Sequence, residues 1–216
     1  MIASQIQQLR SRLPDGVRLV AVSKFKPAAA ILEAYEAGQR DFGENYVQEM
    51  VSKSEELPAG ICWHFIGHLQ TNKVKYIAPF VHLIHSVDSL KLLKEINKQA
   101  RSNGRIIDCL LQVHIAREET KSGLTEEEFL ELLADPALAG LDHIRVTGVM
   151  GLSTFTDDPV IIRSEFRELK RLSEEGKRLL PGLEEISMGM SGDWPVAVEE
   201  GSTIVRIGST IFGARN

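Results

Sequence analysis

Val17-Arg18-Leu19-Val20-Ala21-Val22-Ser23-Lys24, followed by Phe25-Lys26-Pro27, is the stretch from which the fold can be read. Valine and leucine dominate it and both alternate faces are largely apolar, the pattern of a strand covered on both sides. The spacing predicts a strand ending at Lys24, after which Pro27 opens an alanine-rich helix, where a missing N–H costs nothing. Lys24 shares its parity with Val20 and Val22, so all three are expected to project to one side. An amine held against apolar walls loses hydration, and its pKa falls towards neutrality. Lys24 is therefore a candidate Schiff-base nucleophile; the alternative is a strand-end lysine reaching for water.

The same reading extends along the chain. Further strands are expected at Arg40–Asn45, Ile61–Gly67, Val81–Ser86, Ile106–Ile115, Val146–Met150, Glu185–Met188 and Thr203–Ile207. Helical stretches fall between them: Pro27–Ala37 ending at Gly38, Tyr46–Glu56, Thr71–Tyr76, and a helix capped by Asp88 or Ser89 that ends near Asn103-Gly104. Thr125–Ala134 follows with a capping box formed by Thr125 and Glu128, then Pro159–Leu180 and Asp193–Glu200. Met1–Leu13 reads as a polar, mildly helical start. Short links join eight strands to the helices, which predicts an α/β fold, a closed parallel (β/α)8 TIM barrel with an extra N-terminal helix. An open doubly wound sheet is the alternative. Residues 1–216 are expected to form a single domain.

Composition narrows the function. With 25 Lys and Arg against 30 Asp and Glu, the net charge of −5 offers no basic surface for nucleic acid or membrane. No apolar run is long enough to span a bilayer, and the first residues lack the apolar core of a signal peptide. Cys62 and Cys109 sit in apolar runs and are expected as reduced buried thiols, which fits a cytoplasmic protein.

The ligand-facing end of such a barrel is the C-terminal end of its strands. Lys24, Asn45, His64, Met150, Ser187 with Met188, and Arg206 fall there. Arg206 shares its parity with Ile204 and Gly208, so it is expected inside the barrel, paired either to a structural carboxylate or to a ligand. Met188-Gly189-Met190-Ser191-Gly192-Asp193 and Arg206-Ile207-Gly208-Ser209-Thr210 follow the last two strands, where phosphate sites recur in this architecture. Histidines make a poor metal case: His64 and His68 flank strand and turn, and His82 and His85 are expected to point to opposite sides. No nucleophile-elbow sequence supports a hydrolase. Asp157-Asp158 and Glu126-Glu127-Glu128 read as solvated helix starts. An imine-forming lysine, a phosphate cradle and an interior arginine match the aldehyde, phosphate and pyridine nitrogen of pyridoxal 5′-phosphate (PLP).

The chain resembles the pyridoxal phosphate homeostasis protein family, relatives of the alanine racemase N-terminal barrel of fold-type III. The resemblance runs from Val17 to Arg215 and rests on Ala21-Val22-Ser23-Lys24, Phe42-Gly43-Glu44-Asn45-Tyr46, Trp63-His64-Phe65-Ile66-Gly67-His68-Leu69-Gln70, Ser187-Met188-Gly189-Met190-Ser191, and Gly201-Ser202-Thr203 through Arg206-Ile207-Gly208. It implies an internal aldimine on Lys24, Arg206 at the pyridine nitrogen, and Ser191, Gly208 and Ser209 on the phosphate. Asn45 and Met150 would line the ring, with His64 and Ser187 as further contacts. Gly192 stands where the family commonly has aspartate, and His114 where asparagine is common. The implied role is non-catalytic: a monomer that buffers PLP in vitamin B6 homeostasis and delivers it to apo-enzymes. The racemases take a second acid/base tyrosine from a further domain, and Tyr35, Tyr46 and Tyr76 have no sequence-based claim to that role. A weak PLP-dependent racemase, a cofactor-free Schiff-base aldolase and a purely structural barrel are the competing expectations.

Overall fold

The structure, a computed structural model, describes residues 1–118 and 122–213. Eight parallel strands close into a barrel in sequence order: β1 (Arg18–Val22), β2 (Asp41–Glu44), β3 (Cys62–Phe65), β4 (Leu83–Val87), β5 (Ile107–Gln112), β6 (Ile144–Met150), β7 (Glu185–Ser187) and β8 (Ile204–Ile207). Closure is made by β8 against β1, with Arg18 opposite Ile204 and Val20 opposite Arg206. The expected (β/α)8 barrel is therefore the observed one.

Helices α1 (Ile2–Arg10), α2 (Ala28–Glu36), α3 (Val47–Glu56), α4 (Val74–Ile77), α5 (Leu90–Ser102), α6 (Glu126–Ala134), α7 (Pro159–Leu179), α8 (Trp194–Glu199) and α9 (Ser209–Phe212) surround it. Local sequence starts and stops them. Pro27 is the N-cap of α2, and Gly38 turns the chain away with φ +92. The Ser89 hydroxyl accepts from Leu92 N–H at 3.3 Å to start α5. Thr125 and Glu128 form the expected capping box of α6, and the Asp158 side chain caps α7.

Outward strand residues such as Ala21, Phe42, Phe65, Ile84, Val149, Ile186 and Val205 are buried beneath the helices. Inside the barrel, Val20, Leu83, Leu110, Met150 and Ile204 form a second, smaller apolar cluster. Ile204 is thus interior, as the parity of Arg206 requires.

Several boundaries differ from the sequence expectation. β1 stops at Val22, because Ser23 turns to Glu44 and Phe25 takes a left-handed φ of 62. β5 is shorter than Ile106–Ile115, with Val113 making only an isolated bridge to Leu124. β6 begins at Ile144, earlier than expected, because Arg145 is carried outward to a bidentate pair with Asp108. The short α9 and a 3-10 turn at Leu138–Gly140 were not anticipated. Part of the loop expected at Ala116–Gly123, and Arg215 in the resemblance, lie outside the described residues.

Candidate functional site

Lys24 lies in the turn directly beyond β1, half-buried, rather than within the strand. A second buried network fixes that turn from the outer face of the sheet. The Ser23 hydroxyl donates to Glu44 Oε1 at 2.6 Å, and Phe25 N–H donates to Glu49 Oε1 at 2.6 Å. Lys53 Nζ donates to Ser23 O (2.8 Å), Glu44 Oε1 (2.8 Å) and Glu49 Oε1 (2.6 Å), matching the three donors of an ammonium. Burial raises the Glu44 pKa, and Lys53 and Ser23 only partly oppose it. Sequence reading missed Ser23, Glu44, Glu49 and Lys53; the Lys53–Glu49 spacing of four on one helix was the available signal.

Arg206 lies inside the barrel with 3% of its surface exposed. Its Nη1 donates to Ser187 Oγ at 2.5 Å and its Nη2 to Gly151 O at 3.0 Å. Burial lowers its pKa to about 10, opposed by Asp193, so it remains a cation at neutral pH. Behind Ser187 runs a file of polar side chains. Ser187 Oγ meets His85 Nδ1 at 2.9 Å, His85 Nε2 meets His64 Nδ1 at 2.9 Å, and His64 Nε2 meets Asp41 Oδ1 at 2.9 Å. Burial lowers the pKa of both histidines, that of His85 well below the usual value, so both rings are neutral at physiological pH. The sequence brings His85 forward only as a metal ligand, not as part of this file. His82 and His85 do not diverge as expected: both rings pack on His64, at 5.4 and 5.1 Å between centroids. His82 precedes β4, so strand parity does not govern it. His68 lies apart, 3.8 Å from Asp88.

The loop after β7 is held by Asp193, whose Oδ1 accepts from Met190 N–H (2.5 Å) and Oδ2 from Ser153 Oγ (2.7 Å). Gly189, at φ +94, lets that loop fold tightly enough that a Cβ would lie 2.6 Å from Ala197. Ser191 Oγ accepts from Gly208 N–H at 3.3 Å, which joins the two glycine loops over the ends of β7 and β8. Ser209 opens α9 and is exposed. Asn45 follows β2 directly, and its Oδ1 is buried without a hydrogen-bond partner. Met150 ends β6 within the interior apolar cluster. Lys24, Asn45, Met150, Ser187, Ser191, Gly208 and Ser209 thus share the C-terminal end of the barrel, with Arg206 just inside it and His64 deeper.

At the opposite end, Asp41, Cys62 and His82 bring ligand-type atoms within 4.8 Å of one another, a cluster the sequence did not suggest. Arg18, whose charge acts on both Asp41 and Cys62, opposes a cation there.

The fold and this arrangement define a racemase-type barrel: the family model described as alanine racemase, N-terminal domain, matches residues 1–216. The alanine racemase of Clostridium difficile 630 shares the fold with a TM-score of 0.79 at 14% identity, over 99% of this chain and 56% of that one. More specifically, the chain belongs to the pyridoxal phosphate homeostasis protein family. It is 43% identical to the pyridoxal phosphate homeostasis protein of Vibrio alginolyticus, over 100% of this chain and 95% of the relative. PipY of Synechococcus elongatus PCC7942, solved with PLP bound, is 39% identical with a TM-score of 0.91, over 99% of this chain and 100% of that one.

Proposed function

We propose that the chain binds PLP reversibly through Lys24 and works as a non-catalytic carrier in vitamin B6 homeostasis. The observation that carries the reading is Arg206, a buried cation whose hydrogen bonds go to a neutral hydroxyl and a carbonyl. The donor set fits the cofactor in three further respects. Asn45 Oδ1 is a buried acceptor lacking a partner. A Cβ on Gly208 would meet Val22 O at 3.1 Å, so only a residue without a side chain fits where the turn after β8 packs against β1, at the end where a phosphate would be held. Lys24 directly follows β1, the strand paired with the one that carries Arg206.

PLP would supply an aldehyde, with Lys24 as the amine that would hold it. Arg206 would serve the pyridine nitrogen and, remaining charged, would disfavour its protonation and so weaken the electron sink that catalysis on an amino acid needs. Ser191, Gly208 and Ser209 would hold the phosphate, and Asn45 and Met150 would line the ring. We assign His64 and Ser187 to the support of Arg206. We read residues 1–216 as one cofactor-binding barrel, acting as a monomer in the cytoplasm and passing PLP to apo-enzymes.

The test is the absorbance of the purified protein with added PLP. An imine band is expected, lost in Lys24→Ala; a wild-type protein with no such band refutes the reading. A weak racemase is the second reading, favoured by Tyr46, whose ring lies 5.2 Å from that of Phe25 beside Lys24. Cα deuterium exchange on amino acids above that of free PLP, lost in Tyr46→Phe, would establish it instead.

A further inference from the structure

The file from Arg206 to Asp41 has chemically unequal ends. A guanidinium only donates, and an ionised carboxylate only accepts. Every group between them must then accept on the Arg206 side and donate on the Asp41 side. Ser187 Oγ accepts from Arg206 Nη1 and its hydroxyl proton goes to His85 Nδ1. His85 therefore carries its proton on Nε2 and donates to His64 Nδ1. His64 likewise carries its proton on Nε2 and donates to Asp41 Oδ1. Four hydrogen bonds, drawn from β8, β7, β4, β3 and β2, thus share one direction.

We propose that Asp41, His64, His85 and Ser187 form a one-way hydrogen-bond relay that holds the Arg206 guanidinium from the far end of the barrel. Asp41 and the two histidines are then positioning residues for the candidate cofactor pocket, although Asp41 lies at the strand ends opposite to it.

Burial supports this arrangement. His64, His85 and Ser187 are fully buried, so a neutral imidazole with both nitrogens bonded is the inexpensive state for each ring. Asp41 is the outermost member, with 24% of its side chain exposed. Its burial works against ionisation, but the His64 bond and the charge of Arg18 help lower its pKa. Arg18 is itself paired with Glu185 at 3.2 Å, so it flanks the end of the relay without replacing it. The relay gives the buried cation of Arg206 a distant counter-charge through aligned dipoles, in addition to the charge of Asp193.

The first test needs no cofactor. Long-range proton–nitrogen NMR correlations of the histidine rings, at neutral pH, should show His64 and His85 as neutral tautomers protonated on Nε2. Either ring cationic, or protonated on Nδ1, overturns the relay. Asp41→Leu removes the terminal acceptor and should shift both ring patterns; Asp41→Asn keeps an acceptor oxygen and should restore them. Unchanged histidine signals in a folded Asp41→Leu protein also overturn it.

The effect on the pocket rests on the PLP reading above. Asp41→Leu should weaken PLP binding about tenfold and move the absorbance band, with Asp41→Asn intermediate. A wild type that forms the band and an Asp41→Leu variant that matches it in affinity and position contradict the positioning role. A wild type with no band refutes the cofactor reading, and leaves the relay to the histidine spectra.

Discussion

Two buried polar networks flank the barrel wall between Lys24 and Arg206, and they are built on opposite rules. Outside the sheet, Lys53 faces Glu44 and Glu49 at 2.8 and 2.6 Å, so opposite charges meet at contact. Inside, Arg206 and Asp41 are separated by Ser187, His85 and His64, and neutral groups carry the interaction. The outer network clamps a backbone turn, the one that carries Lys24. The inner network aims a single side chain. A contact ion pair fixes position at the expense of desolvating both charges, whereas a neutral file can reach across a barrel with charge only at its ends.

The comparison breaks most sharply at Lys53. Lys53→Met leaves Glu44 buried without its cation, and a loss of about 3–5 kcal/mol is expected in urea unfolding. If the two networks act separately, the histidine tautomers inside the barrel stay as in wild type. A loss below about 1 kcal/mol would mean that the outer network is solvated and not a clamp.

Acid should distinguish the networks next. For His64 and His85 the folded pKa lies below the unfolded value of about 6.5. As pH falls below that value the unfolded chain takes up protons that the folded one refuses, so stability declines by up to about 1.4 kcal/mol per pH unit for each ring that stays neutral. Glu44 acts in the opposite sense. Its folded pKa is raised, so the folded state protonates first as pH falls towards about 4.5, which offsets part of the decline. Two rings outweigh one carboxyl, and chemical denaturation from pH 7 down to about 5 should show a net fall. His85→Asn should flatten it; an unchanged slope would remove His85 from the inner network.

The smallest effect is expected at Gly192, in the loop after β7 and part of neither network. A Cβ there meets nothing within 4 Å, so Gly192→Ala should change stability by no more than about 0.5 kcal/mol. A larger loss would show that the loop after β7 needs glycine for its backbone.

Much of the barrel was legible because alternation of apolar strands with capped helices is a local property. Ser89, Thr125 and Asp158 each announce a helix within three residues of sequence. The ends of strands were less legible. β1 was extended to Lys24 because apolar periodicity cannot see a left-handed Phe25, which Glu49 and Lys53 hold from another helix. The candidate site was named residue by residue at the strand ends, yet neither buried network was visible. Ser187 meets His85 across 102 positions and Ser23 meets Glu44 across 21, and only closure of the sheet brings such pairs together. The resemblance names His64 and Ser187 as further cofactor contacts; the structure joins them through His85, which interior parity alone could have suggested.

The proposed function makes Lys24, in the turn beyond β1, the amine that meets the cofactor, with Arg206 already held inside the barrel. The most direct measurement is borohydride reduction of the protein with PLP, followed by peptide mass mapping. One phosphopyridoxyl group on the peptide containing Lys24, absent in Lys24→Ala, is the predicted result. Label spread over other lysines, with the Lys24 peptide unmodified, would contradict the account.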